Sequence, residues 1–224
     1  MEFCLTYDDQ FADLYFNYLS DCINRKVDVA LVLDNSESLQ DQHWIQLRQF
    51  AIDIITDSDV ETGNSRFALS RYTHDVFNDF FLDTYSTKDE MINHISALVR
   101  GTGGTNTGMA LENLMNVVFT ASNGDSTEAP NLAVIVTDGQ SNDMPYTISK
   151  AEEAKASGIH VIAVGVGLLD TTELMQLASD PASDNAFNVN DFEHLVTIER
   201  LIENLFYVEC TGKLYCYVDK NVVM

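Results

Sequence analysis

The chain has 224 residues, 46% of them hydrophobic and 10% aromatic, and its 35 acidic against 12 basic side chains give a formal net charge of −23. A chain of this size buries roughly 70–75% of its unfolded surface on folding, so a core can form without metal or disulfide. The negative field draws cations and argues against nucleic acid or anionic membrane as partners, and no stretch approaches the roughly 18 apolar residues of a membrane span.

Residues 1–26 carry Phe3, Leu5, Phe11, Leu14, Tyr15, Phe16 and Leu19 in a helix-like scatter and read as an extension packed on the rest of the chain. The start, "MEFCLTYDDQF", lacks the basic and apolar regions of a secretory leader, so secretion would require a leader already removed. "VDVALVLD" (27–34) is an unbroken apolar run and predicts a buried strand. In "HWIQLRQFAIDIITD" (43–57) Trp44, Ile45, Leu47, Phe50, Ala51 and Ile54 recur at helical spacing. "RFALSRYTHDVFNDFFL" (66–82) alternates about a central turn and predicts two short strands. "STKDEMINHISALV" (86–99) opens with a serine and has Glu90 in its first turn, both helix-start signals.

The same alternation then repeats. "NTGMALENLMNVVFTAS" (106–122) predicts a helix, "NLAVIVTDG" (131–139) a buried strand, "TISKAEEAKASG" (147–158) a helix closed by Gly158, and "IHVIAVGVG" (159–167) a second buried strand. A short helix over 171–180, a weak strand "AFNV" and a last helix from about Phe192 to Val208 complete the pattern. Apolar strands alternating with amphipathic helices indicate an α/β doubly wound, mostly parallel sheet with one antiparallel edge strand and helices on both faces. Ligand sites in such sheets lie at the carboxyl ends of the strands.

Three loops reach that rim with small oxygen-bearing side chains. The first strand ends on Asp34, Ser36 and Ser38, "GTGGTNTG" presents Thr105, and "IVTDG" ends on Asp138. Two carboxylates with three hydroxyls suit a hard divalent cation, because Mg²⁺ and Ca²⁺ select oxygen ligands whereas softer metals select Cys or His. Hydroxyl ligands also leave the ion's charge incompletely neutralised, so that it still attracts a carboxylate from outside. "GTGGTNTG" lacks the G-K-[ST] ending of a nucleotide-binding loop. His43, His74, His94, His160 and His194 show no ligand spacing, and no serine or cysteine is paired with one, so enzymatic activity is not expected. Cys4, Cys22, Cys210 and Cys216 lie at the two ends with no C-x-x-C pair; they read as disulfides of an extracellular protein, with three connectivities open.

"VDVALVLDNSES", "GGTNTGMAL" and "AVIVTDGQSND" together resemble the von Willebrand factor type A domain with its metal-ion-dependent adhesion site, D-x-S-x-S followed by T and then D. The resemblance spans residues 27–208, with 1–26 as an N-terminal extension and 209–224 as a C-terminal tail. It implies metal ligation by Asp34, Ser36, Ser38, Thr105 and Asp138, with Mg²⁺ as the expected ion and Ca²⁺ or Mn²⁺ as substitutes. The form "SES" resembles secreted matrix members such as collagen type VI; many other members carry Gly at the position of Glu37, which here either repels an acidic ligand or serves a further cation. The resemblance also implies pairing of Cys22 with Cys210, leaving Cys4 with Cys216, which would restrain the last helix and hold the affinity fairly fixed. The function expected is a secreted extracellular-matrix adhesion module that binds a protein partner such as collagen through the cation. The alternative is an acidic structural or biomineralisation matrix protein that binds calcium or mineral surfaces through its charge.

Overall fold

The computed structural model describes residues 26–198; the extension, the tail, all four cysteines and the part of the expected last helix after Ile198 lie outside the described residues. Six strands form one sheet: β1 (Val27–Asp34), β2 (Ser65–Tyr72), β3 (Val76–Phe80), β4 (Asn131–Thr137), β5 (Ile159–Val166) and β6 (Ala186–Val189). Their order is β3-β2-β1-β4-β5-β6, parallel throughout except for the antiparallel β3 at one edge. The expected α/β doubly wound architecture is the one observed. The strand order reverses direction between β1 and β4, and that switch point is where loops from the two halves diverge and leave a crevice.

Because β1 and β4 are central, both of their faces must be covered, which explains why they read as continuous apolar runs instead of alternating ones. Along β1, Val29, Leu31 and Leu33 enter one apolar cluster, with Trp44, Leu47, Phe50 and Ile54 of helix α1 (Asp41–Asp57) and Met91 and Ile95 of α2 (Lys88–Ala97). Phe192, Leu195 and Ile198, from the start of the last helical segment, close the same face. Ala30 and Val32 face the other way, toward α3 (Thr107–Asn113), α4 (Met144–Ala156) and α5 (Thr172–Leu177). Ala68, Ala30 and Ala133 stand in register across β2, β1 and β4 on this second face. Their small side chains let the helices approach closely. Within that layer Gly108 of α3 is required by contact: a Cβ there would lie 2.4 Å from the Tyr146 ring of α4 and 3.2 Å from the Thr147 Cα.

The structure corrects several expected boundaries. The cap of α2 is Thr87 and not Ser86: its hydroxyl accepts from the Glu90 amide and donates to the Glu90 carboxylate. The helix expected over 106–122 is α-helical only to Asn113, widens to π geometry over Leu114–Val118 and finishes as a 3₁₀ turn over Ala121–Asn123. Helical periodicity does not distinguish these forms, since Leu111, Leu114 and Val118 stay buried in all of them. α4 starts three residues earlier than expected, on an Asp143 cap followed by Pro145, and the chain leaves it through Gly158 at φ +95°. A four-residue helix over Ala182–Asn185, too short to show periodicity, precedes β6, and the last segment opens as a 3₁₀ turn over Phe192–Leu195.

Candidate metal centre

β1 delivers Asp34 to the carboxyl rim, where the main chain turns because the Asp34 Oδ1 accepts the Ser36 amide at 2.9 Å. That local bond competes with the strand ladder and ends it. The Ser36 and Ser38 hydroxyls then lie 2.9 Å apart, and the Ser38 hydroxyl donates to the Asp138 Oδ1 at 2.7 Å. Four of the five expected residues are therefore linked by hydrogen bonds, the first through the Ser36 amide and the rest through hydroxyls: Asp34, Ser36, Ser38, Asp138. Asp34 and Ser36 are buried, at 1% and 2% exposure, whereas Ser38 opens to solvent. The cluster presents one accessible side.

Thr105 is buried at the same rim, but no hydrogen bond ties it to the other four. It is held through its main chain, which accepts from the Asn142 amide at 2.8 Å and donates to the Asn142 side chain at 3.3 Å. Its loop is fastened to the β1 turn at two points: the Gly101 amide donates to Asn35 Oδ1 at 2.7 Å and the Glu37 amide to the Gly103 carbonyl at 2.9 Å. The approach is close, since a Cβ on Gly101 would lie 2.8 Å from the Asn35 side chain and one on Gly104 would lie 2.5 Å from the His74 ring. Glu37 engages this loop through its backbone, with an exposed side chain.

Sequence reasoning missed the supporting residues. Thr137 donates from its hydroxyl to Asp34 Oδ2 at 2.9 Å and also contacts the Gly139 carbonyl. Asn35 and Asn142 fasten the loops, and Glu173 of α5, buried, accepts the Ser141 amide at 3.1 Å. The signal for Asn35 and Asn142 was their place inside "DNSES" and "TDGQSND", polar letters beside the expected ligands; nothing near Glu173 pointed toward the rim.

Electrostatically the cluster is incomplete. Burial, and with it the negative charge of Asp138, push the Asp34 carboxyl up to about 6, although Ser36 and Thr137 pull it down by hydrogen bonding. The hydrogen-bond partners of Asp34 and Asp138 are neutral hydroxyls and an amide. The Tyr72 hydroxyl lies fully buried nearby, and its ionisation is suppressed by burial and by Asp34. Two carboxylates lacking a cation, reached from one open side, fit a divalent ion. Among the described residues no group of three or more His, Cys, Asp or Glu side chains could hold a metal; the side-chain donors beside the two carboxylates at this rim are hydroxyls. A hard ion suits that donor set.

Comparison with known proteins agrees with this fold. Residues 28–201 match the model of the von Willebrand factor type A domain. Mouse matrilin-2 is 28% identical over 205 residues, covering 90% of this chain and 21% of that protein. The newt collagen α-1(XII) chain (Notophthalmus viridescens) is 30% identical over 187 residues, covering 83% of this chain and 20% of its own length. The chain spans about a fifth to two fifths of the length of the curated relatives it matches. A solved structure of proximal thread matrix protein 1 from the mussel byssus superposes with a TM-score of 0.75 at 26% identity, covering 81% of this chain and 47% of that one. The same mussel protein has been solved with zinc in its MIDAS motif, superposing at TM-score 0.74 and 24% identity over 81% of this chain and 48% of that one.

Proposed function

The chain belongs to the von Willebrand factor type A domain family, and on that premise we propose that it is a non-catalytic adhesion module of the extracellular matrix which holds a protein partner through a divalent cation. Asp34, Ser36, Ser38, Thr105 and Asp138 hold the ion, with Mg²⁺ the expected occupant. The observation that carries this reading is the buried, unneutralised Asp34 linked to Asp138 through Ser36, whose amide it accepts, and the Ser36 and Ser38 hydroxyls, with only neutral hydrogen-bond donors to the two carboxylates. A bound ion supplies an incompletely neutralised positive charge that attracts a carboxylate of the partner. The chain's own part is to fix the oxygens: Thr137 orients Asp34, Ser38 orients Asp138, and Asn35 and Asn142 pin the Thr105 loop between them. The names of the relatives, matrilins and a collagen chain, support an extracellular protein partner such as collagen, and the mussel relative with zinc in its motif supports metal use.

The net charge of −23 favours a second reading, an acidic matrix component that gathers calcium or mineral diffusely over its surface. Calorimetric titration with Mg²⁺ and Ca²⁺ separates the two. One tight site per chain, lost in Asp34→Ala, is expected for adhesion; many weak calcium sites indifferent to that substitution would favour the second reading. Retention of collagen on the immobilised chain in Mg²⁺, abolished by EDTA, would then identify the partner class.

A further inference from the structure

Two adjacent leucines at the end of β5 behave oppositely. Leu168 turns inward: it packs on the second apolar cluster, and a Cβ on Gly165 would come within 2.5 Å of its Cδ1. Leu169 points fully outward, at 105% exposure, the highest of any large apolar side chain among the described residues. A lone exposed leucine ordinarily carries no meaning. Its setting here is unusual because the main chain around it is fixed. Gly167 turns at φ +67° and donates to the Val189 carbonyl. Asn188 of β6 clamps Leu168 from both sides, accepting its amide at 3.3 Å and donating to its carbonyl at 2.9 Å. Asp170 Oδ1 accepts the Thr172 amide at 2.9 Å and so closes the turn.

This turn stands beside the metal centre. Leu168 and Asp170 line a cleft with Thr107, Thr137 and Gly139, the residues that flank Asp138 and open α3. Gln140, two residues beyond Asp138, reaches Asp170 at 3.4 Å, and the next amide is held by Glu173. In the first turn of α3, two residues beyond Thr107, Met109 is a second exposed apolar side chain, at 37%. The exposed charges at this rim are acidic: Glu37, Asp143 and Asp170. Arg100 is engaged by Asp41 at 3.0 Å.

We infer that Leu169 is a pre-organised apolar anchor for the partner, which is a protein segment carrying one carboxylate for the ion, an apolar side chain that covers Leu169, and basic residues facing Glu37, Asp143 and Asp170. The inference rests on the adhesion reading above. A carboxylate alone does not discriminate between partners, and the acidic rim repels a segment with several acids. One acid in a basic and apolar context satisfies all three features of the rim. Fixing the main chain on either side of Leu169 before binding avoids the backbone ordering cost that a mobile loop would incur.

The test uses an array of fifteen-residue peptides with one central Glu and with Leu, Lys or Ser stepped through the flanking positions, probed with the full chain in Mg²⁺ and in EDTA. Wild type is expected to bind in Mg²⁺ only and to favour peptides with Leu at one fixed offset, about tenfold over Ser at that position. Leu169→Ser, which alters no buried contact, is expected to abolish the preference for Leu while keeping the preference for Lys and the Mg²⁺ requirement. Mg²⁺-dependent binding that ignores apolar flanks, or an unchanged pattern in Leu169→Ser, would overturn the anchor and leave the metal reading standing. Absence of Mg²⁺ binding by calorimetry would overturn both.

Discussion

β1 carries a buried aspartate near each end, and the two are solved differently. Asp28, at the amino end, is wholly buried and meets Arg66 of β2 in a two-point ion pair, with Nε to Oδ1 at 2.7 Å and a terminal nitrogen to Oδ2 at 2.5 Å. Asp34, at the carboxyl end, is as deeply buried, yet receives only the Ser36 amide and the Thr137 hydroxyl. Both sit on the alternate positions of the strand shared with Ala30 and Val32. Burial raises both carboxyls above their ordinary range, while at Asp28 the guanidinium of Arg66 opposes it. A buried carboxylate with its own cation is complete within the fold, whereas one with only neutral donors is, on the proposed function, completed by an ion from outside.

Exchanging each aspartate for alanine gives the largest expected effects, in opposite directions. Asp34→Ala should cost at least a hundredfold in Mg²⁺ affinity by calorimetry and raise the melting temperature in EDTA, since an uncompensated buried charge is gone. Asp28→Ala should leave Mg²⁺ binding intact and destabilise the fold by about 3 kcal/mol in urea, because Arg66 loses its partner. Destabilisation by Asp34→Ala in EDTA, or tolerance of Asp28→Ala, would dissolve the contrast.

Acidity sharpens the same contrast without mutation. The folded-state value of about 6 for Asp34 lies above the unfolded-state value near 3.8. The folded protein therefore binds this proton more tightly than the unfolded chain does. The stabilisation from Asp34 is fully present below about pH 4 and is lost as pH rises through 6, roughly 3 kcal/mol in all. On the proposed function, Mg²⁺ takes the place of the proton. Urea unfolding should show little gain from Mg²⁺ at pH 5 and a large gain at pH 7.5, while the same pair of measurements on Asp34→Ala should show no gain at either. Equal gains for wild type at both pH values would remove Asp34 as the responsible group.

Ser38→Ala tests the link between the two carboxylates. Ser38 is exposed, so its loss should change stability by less than about 1 kcal/mol. Its hydroxyl nevertheless joins Ser36 to Asp138 at 2.9 and 2.7 Å. Mg²⁺ affinity should fall at least tenfold, because the substitution removes both a proposed ligand hydroxyl and the group that orients Asp138. Unchanged affinity would remove Ser38 from the site.

Legibility in the sequence tracks the strength of the local signal. β1, β4 and β5 were legible because strands buried on both faces write continuous apolar runs, and the doubly wound order then placed their ends on one rim. The path of residues 114–123 was not legible, because a π turn buries the same side chains as an α turn. In the metal centre, Asp34, Ser36, Ser38 and Asp138 announced themselves as oxygen-bearing letters at strand ends. The clasp of the Thr105 loop did not, since it depends on Asn35 and Asn142 side chains bonding to main chain that is distant in sequence. Glu173 was invisible for a further reason: a glutamate in a helix's first turn is normally a solvated charge, and only the packing of α5 against the β4–α4 loop buries it.

The smallest expected effect lies with Thr137, whose hydroxyl is the neutral substitute for the cation that Arg66 supplies to Asp28. Thr137→Val keeps the shape of this buried side chain and removes the donor to Asp34 Oδ2. With that hydrogen bond gone, the charged form of Asp34 loses support and its proton is held more tightly, so the carboxyl moves further up. Mg²⁺ must then displace a more firmly held proton. The midpoint of the pH dependence of Mg²⁺ binding should move upward by up to about one unit, with affinity above pH 8 reduced only a few-fold. A uniform loss of affinity at every pH would instead mean that Thr137 holds the Gly139 turn in place, through its contact with the Gly139 carbonyl, and that the charge of Asp34 is set by burial, Ser36 and Asp138 without it.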